Sequence, residues 1–336
     1  MNVAEKAVRD NNIPALAVAI IRDGKVVNIT GFGKQNRKTH IAIDNETMFQ
    51  IGSLTKMFTG IVVKHLVDEG KLVLDARIVS YLPETISSQA AQTLQHITIQ
   101  DLIHHRSGIP GWALNNGRID GDSMLGGYSE MQLLAGLDNI QLKFPPGSKL
   151  AYSNSGYAIL GYICERVSGQ SYAQLVTKYI SQPYDLNNTK VSLNKAQQQR
   201  VATPYRKDNR AIATQPWEMG KITPAGGLFS NIEDLSRLML AQLSAYKNTK
   251  NNSDLFLTEL TNDFYGENTT YGYGLVKRVL PKSIDYSHGG DLDGFASNYR
   301  FSPEANVGLI LLTSSGGKWT RELESAMFEQ LLKQAI

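Results

Sequence analysis

Cysteine is almost absent. Cys164 stands alone among 336 residues, which excludes an intrachain disulfide and every cysteine-rich metal site. Its neighbours Ala158, Ile159, Leu160, Tyr162 and Ile163 are apolar and predict a buried structural thiol rather than a reactive one. No apolar run approaches the length of a membrane span, and the opening Met1-Asn2-Val3-Ala4-Glu5-Lys6 lacks the apolar core of a signal peptide. A cytoplasmic protein and a chain whose leader was replaced by Met1 both fit that opening. Charge of one sign is scarce as well. The 34 basic and 31 acidic residues leave a net +3 with no long basic run, so nothing invites nucleic acid. Internal repeats and low-complexity tracts are missing. With 42% hydrophobic and 19% charged residues, the composition is that of a globular protein long enough for a sizeable core, in one large domain or two.

What is present is strand at both ends and helix between. Residues 3–11 read as a short helix ending before Pro14. Leu16 to Ile21 and Lys25 to Gly31 read as strands joined by Asp23-Gly24, a dipeptide suited to the positive φ angles of a tight hairpin. The first strand is apolar throughout, so cover on both faces is expected. Polar residues 34–46 form a loop, Thr47 to Ile51 leads into a turn, and Leu54 to about Glu69 is helical with Gly70 as its stop. Helical patterns follow at Ile99–His105, Glu130–Asp138, Ser155–Ser168, Tyr172–Ile180 and Ile232–Tyr246, the last opened by Asn231 as N-cap. Phe144-Pro145-Pro146-Gly147 makes a rigid turn. Tyr271–Leu280, Ile284–His288, Ala296–Ser302 and Val307–Thr313 read as strands, and Trp319–Ala335 as an amphipathic helix. The fold class is therefore α+β. One antiparallel sheet is built from the N-terminal hairpin and the C-terminal strands, with terminal helices on its face and a mostly helical insert. The expected division is a sheet domain of residues 1–65 and 225–336, a mostly helical region of 66–224, and an active site between them.

The stretch Ile51-Gly52-Ser53-Leu54-Thr55-Lys56 joins a strand to a long apolar helix. A helix N-terminus favours negative charge developing on a nearby oxygen. Lys56, three residues after Ser53, shares its helix face at roughly 5–6 Å between Cβ atoms. A lysine amine takes a serine proton only when neutral, which needs desolvation or neighbouring positive charge. Ser-x-x-Lys recurs at Ser192/Lys195, Ser244/Lys247 and Ser315/Lys318, and only the first copy has an apolar strand behind it and a buried helix ahead. Tyr152-Ser153-Asn154 offers a phenol for proton relay and an amide for Lys56 or a substrate carbonyl, on one side of an extended segment. Tyr-x-Asn recurs at Tyr246/Asn248. His288-Gly289-Gly290 closes a strand. Its glycines let a substrate backbone lie close, and the N–H of Asp291 is a candidate for the second oxyanion donor beside that of Ser53.

In this order the three motifs resemble the serine β-lactamase and penicillin-binding protein superfamily, and the tyrosine in the second makes the chain similar to the class C β-lactamase branch with its DD-peptidase, D-aminopeptidase and esterase relatives. Ile13-Pro14-Ala15, Phe49-Gln50-Ile51-Gly52-Ser53, His105-Arg106-Ser107-Gly108-Ile109-Pro110, Phe144-Pro145-Pro146-Gly147 and Pro224-Ala225-Gly226-Gly227-Leu228-Phe229-Ser230 resemble that branch's signature segments, so the likeness spans nearly the whole chain. It implies a β-lactamase/transpeptidase-like fold and a hydrolase working through a covalent acyl-enzyme. Ser53 would be the nucleophile, Lys56 and Tyr152 would share base and acid work, and Asn154, His288, Gly289, Gly290 and Asp291 would bind substrate. No metal or organic cofactor is implied. The partner is a small molecule or short peptide, and the implied compartment is periplasmic or otherwise extracytoplasmic, with the cytoplasm as alternative.

One departure bears on substrate. The family's β-lactamases usually carry Lys-Thr-Gly as third motif, where His288 and Gly289 stand here, so a polar anchor is lost and strong β-lactamase activity is not expected. The leading expectation is a hydrolase of D-amino-acid peptides or related amides with weak β-lactam reactivity. A carboxylic-ester hydrolase using the same serine and a slow-turnover penicillin-binding sensor or scaffold are the alternatives. Pocket walls are expected from the Trp112–Tyr128 loop, Trp217, Met219 and the turn after Gly290. His104 and His105, adjacent on a helix, would face apart and hold no metal together. Gly226-Gly227 fits close backbone passage at the site floor rather than a phosphate cradle, and Asp291 and Asp293 read as turn residues facing solvent.

Overall fold

The computed structural model describes residues 2–112, 128–248, 264–266 and 268–335. Among the described residues ten strands run in chain order: β1 (Ala15–Arg22), β2 (Lys25–Gly33), β3 (Met48–Gln50), β4 (Phe229–Asn231), β5 (Phe264–Gly266), β6 (Thr269–Tyr271), β7 (Val276–Val279), β8 (Ile284–Asp291), β9 (Ala296–Ser302) and β10 (Val307–Thr313). Eight form one sheet in the order β2-β1-β10-β9-β8-β7-β6-β5, antiparallel throughout, and β3 pairs with β4 apart from it. The expected sheet of N-terminal hairpin plus C-terminal strands is present. At the hairpin turn Asp23 and Gly24 both take positive φ, 54° and 71°, the mirror-image turn that matches strand twist.

Both faces of the central strands are covered, as the unbroken apolar character of β1 requires. Leu16 and Val18 of β1 and Val307, Leu309 and Leu311 of β10 pack on the terminal helices Asn2–Asp10 and Trp319–Ala335 through Trp319, Leu323 and Phe328. The alternate residues, Ala17, Ala19, Ile310 and Leu312 among them, belong to the larger core with Met57, Leu235 and Met239. That core holds the helix Thr55–Asp68, whose residues 55–63 are all buried, and the helix Asn154–Ser168 beside it. Gly70 ends the first of these as expected, with Lys71 N donating to Leu66 O at 2.8 Å. Asn231 caps the helix Ile232–Asn248, its Oδ1 accepting from Asp234 N at 2.8 Å.

Three expectations need correcting. The run Tyr271–Leu280 is two strands, not one, because Gly272 to Leu275 form a tight turn in which Gly272 N donates to Leu275 O at 2.8 Å. Alternating aromatic and apolar residues there imitate a strand while the turn packs onto the Thr55–Asp68 helix. The helix expected at Ile99–His105 stops at Ile103, and His105 sits at φ 58°. Tyr172–Ile180 is helical only to Val176, then widens into a π-type turn over Thr177–Ser181.

Candidate active site

Ser53 lies in a single 3₁₀ turn, Gly52–Leu54, between β3 and the helix that begins at Thr55. Ile51 ties that turn to two elements: its N–H donates to Leu228 O at 2.9 Å and its carbonyl accepts from Ser297 Oγ of β9 at 2.7 Å. Lys56 is fully buried one turn on. Its Nζ donates to Asn154 Oδ1 and to Ala225 O, both at 2.6 Å, and stands 3.4 Å from Ser53 Oγ. The rings of Tyr152 and Tyr157 lie 4.6 and 5.4 Å from it, centroid to nitrogen. Burial pushes the Lys56 pKa well below the usual lysine value. The segment that supplies Ala225 is pinned to the same helix, since Thr59 Oγ1 donates to Pro224 O at 2.7 Å and Leu228 N to Thr55 Oγ1 at 3.2 Å.

Tyr152 and Asn154 flank Ser153, whose φ and ψ of −134° and 112° are extended, and both line the cleft. Ser153 turns the other way, caps the Asn154–Ser168 helix by accepting from Gly156 N at 2.9 Å, and donates from Oγ to Pro110 O at 3.2 Å. The loop His105–Gly111 runs along this segment: Ala151 N donates to His105 O at 2.8 Å and Ser155 N to Gly111 O at 3.0 Å.

His288, Gly289, Gly290 and Asp291 are strand residues, paired with Tyr299, Asn298, Ser297 and Ala296 of β9. The β7 ladder ends one residue earlier, at Val276–Ser287, so from His288 onward that edge faces the Ser53 turn. The approach is close. A Cβ on Gly290 would lie 2.1 Å from Ile51 O, and one on Gly52 would lie 3.3 Å from Asp291 N, so the backbone of Gly290 and Asp291 passes close to the turn that carries Ser53. His288 Nδ1 lies 2.8 Å from Gly289 O and Nε2 lies 3.2 Å from Tyr271 Oη. A carbonyl only accepts, so Nδ1 carries the proton and Nε2 accepts from the tyrosine, which describes a neutral ring. Loss of solvent, then the nearby Lys56, pushes the His288 pKa down to about 3.

The cleft is about 710 Å³ and extends from Ser53 past Gly289 to Arg278, Arg300 and Arg321. Trp112, Trp217, Met219, Gly226 and Leu292 line it as expected, while residues 113–127 of the expected loop wall lie outside the described residues. Asp291 ends β8 rather than standing in a turn. Two contributors escaped sequence reasoning. Tyr271 marks only a strand start in the sequence, and no spacing announces its bond to His288. His105 belongs to the signature segment His105–Pro110, and its sequence neighbourhood suggests no role beyond a metal ligand. It follows a helix end rather than sitting on one, and its buried ring lies 4.3 Å from that of Tyr152 and 4.7 Å from that of Tyr271.

Known proteins resemble this chain over most of its length. A family model described as Beta-lactamase matches residues 2–331. Protein flp of Staphylococcus aureus (strain MRSA252) is 24% identical across 98% of this chain, and the chain spans 65% of that relative's length. Penicillin-binding protein 4 of Amycolatopsis lactamdurans is 28% identical across 91% of this chain and 82% of its own. The solved structure of the octameric penicillin-binding protein homologue from Pyrococcus abyssi superposes with a TM-score of 0.77 at 26% identity, covering 94% of this chain and 72% of that one. Among the described residues no helix is long and apolar enough to cross a membrane. The chain belongs to the beta-lactamase family, within the serine β-lactamase and penicillin-binding protein superfamily.

Proposed function

We propose that the protein is a serine hydrolase that forms an acyl-enzyme on Ser53. The observation that carries this reading is the buried Lys56, its amine held by two oxygen acceptors at 2.6 Å and pointed at Ser53 Oγ. As a neutral amine it donates its two hydrogens to Asn154 Oδ1 and Ala225 O and keeps its lone pair for the serine proton. Ser53 Oγ attacks the substrate carbonyl carbon, and the oxyanion is held by the N–H groups of Ser53 and Asp291. Tyr152, with its ring against Lys56, relays the proton to the leaving group. Water then repeats the sequence on the acyl-enzyme.

For the acyl donor we favour a D-amino-acid peptide or related amide, with weak β-lactam reactivity. Gly289 and Gly290 leave room for an extended substrate backbone along β8, and Arg321 on the far wall of the cleft suits a terminal carboxylate, whereas Arg278 and Arg300 there are engaged by Asp285 and Glu324. A second reading, a carboxylic-ester hydrolase, is favoured by the neutral His288, which supplies no fixed charge where the family's lactamases carry lysine. Wild type and Ser53→Ala are to be incubated with a penicillin, a D-Ala-D-Ala peptide and short-chain nitrophenyl esters, with intact-mass and turnover readouts. An adduct on wild type alone establishes Ser53 as nucleophile. Peptide turnover supports the first reading, and turnover of esters alone supports the second. No adduct and no turnover with any reagent rejects the hydrolase.

A further inference from the structure

We propose, building on the acyl-enzyme reading, that His105 is a positioning residue that clamps Tyr152 and Asn154 against Lys56 through a neutral imidazole. The clamp has two jaws on alternate peptide units. The His105 carbonyl accepts from Ala151 N at 2.8 Å, and its ring Nδ1 accepts from Ser153 N at 3.1 Å. Tyr152 lies between the two bonds and Asn154 directly after the second, so the phenol and the amide are set by one residue's backbone and side chain together.

The ring is itself held. Tyr152, Tyr157 and Tyr271 stand around it at 4.3, 5.0 and 4.7 Å between centroids, and His105 is 1% exposed. Tyr271 is the residue that donates to His288, so the same imidazole braces the second and third motifs. Because Nδ1 accepts from a backbone N–H, the ring proton sits on Nε2, which has no hydrogen-bond partner among the described residues. A group left in that state costs stability, and its retention beside Lys56 points to a use. A cationic ring could not accept from Ser153 and would repel Lys56. The groups facing it are Lys56 from the nucleophile helix, His288 from β8 and the adjoining His104, and with burial first they all oppose its protonation.

The test compares His105→Asn and His105→Leu with wild type. Asparagine tolerates the positive φ of this position and presents Oδ1 where Nδ1 stands, but leaves a void among the tyrosines. Leucine fills more of the void and offers no acceptor. Acylation of Ser53 by a penicillin or activated ester is to be followed by mass at a temperature where circular dichroism shows all three proteins folded. His105→Asn is expected within about fivefold of wild type and His105→Leu about a hundredfold slower in kcat, with KM little changed, as for a misplacement near 1 Å. Leucine acylating at the wild-type rate, or asparagine as slow as leucine, overturns the clamp. Should His105→Leu fail to fold, ¹⁵N imidazole resonances of wild type decide: a pyridine-like Nδ1 and a pyrrole-like Nε2, unchanged from pH 7 to 5, are expected, and the reverse tautomer or a charged ring at pH 7 rejects the proposal. Wild type that forms no adduct sinks the acyl-enzyme reading, and the resonances still decide the clamp.

Discussion

A lysine nitrogen with two oxygen acceptors at 2.6 Å and a serine hydroxyl at 3.4 Å has one direction left in which a proton can arrive. Which way that proton moves depends on charge. As an ammonium, Lys56 donates its third hydrogen toward Ser53 and the hydroxyl stays a poor nucleophile. As an amine it accepts. Burial lowers its pKa, so kcat/KM for acylation is expected to climb with pH through a value well below that of a free lysine. In Lys56→Met the climb disappears and acylation falls by about a thousandfold, the range of a lost general base. The test is a pH profile of adduct formation for both proteins; an unchanged rising limb in Lys56→Met would assign it to another group. Ser53→Ala makes a separate prediction. Acylation is abolished while stability stays within about 1 kcal/mol by chemical denaturation, because a half-buried hydroxyl whose bond to Lys56 is as long as 3.4 Å contributes little to folding.

Elements meet at this site without side chains between them. A Cβ on Gly60 would lie 2.0 Å from Tyr273 O, so the turn between β6 and β7 rests directly on the nucleophile helix one turn after Lys56. Gly60→Ala must push that turn away and is expected to destabilise the fold by about 2 kcal/mol, the usual size for overpacking a core. Gly290→Ala strikes Ile51 O at the other side of Ser53, so it is expected to destabilise the fold by a similar amount and, unlike Gly60→Ala, also to slow acylation about a hundredfold, the scale of losing one oxyanion donor. Denaturation midpoints and adduct rates for the two variants separate these outcomes; a Gly290→Ala protein that acylates normally would remove Asp291 N–H from the oxyanion site. The same contacts explain what the sequence made legible. Strands β1, β9 and β10 and the C-terminal helix follow from local periodicity and turn residues, and they were read to within two residues. The three motifs were recognisable because each has a local signature, a turn into a helix, a phenol two residues from an amide, a histidine before paired glycines. The turn at Gly272–Leu275 was misread because Tyr271, Tyr273 and Leu275 alternate like a strand, and only its seat on a distant helix makes it bend. His105 and Tyr271 were missed for the same reason: each acts through a residue at least 17 positions away, and such contacts leave no spacing to read.

Across the whole molecule, the sheet carries a thin apolar layer under the terminal helices on one face and, on the other, the large core that includes the site. Setting a catalytic amine in that core requires its neighbours to be uncharged, and the chain has placed two buried neutral histidines there, His104 and His105, with the half-buried His288 at the cleft wall. His104 has both ring nitrogens without a partner among the described residues, and burial followed by the charge of Arg106 pushes its pKa down to about 4. His105 is lowered well below the usual value and His288 to about 3. Each therefore binds a proton more readily in the unfolded chain, where the value is near 6.5. The stability gained by keeping them neutral is complete above pH 6.5 and is lost as pH falls toward the folded values. For His104 alone the full loss is about 3 kcal/mol, at about 1.4 kcal/mol for each unit. Carboxylates add nothing to the drop in this window. Glu69, held near 2 by Lys71, Tyr179 and Lys178, loses its contribution only below about pH 4.5, and Asp234 and Glu324, raised by burial, favour the folded state on acidification and so offset part of the histidine loss. The unfolding temperature is thus expected to drop between pH 7 and pH 5, and His104→Phe, which keeps a ring against Tyr273, is expected to make the drop smaller. Thermal scans of both proteins at matched ionic strength measure it; equal drops in the two would show that His104 is not among the groups that take up the protons.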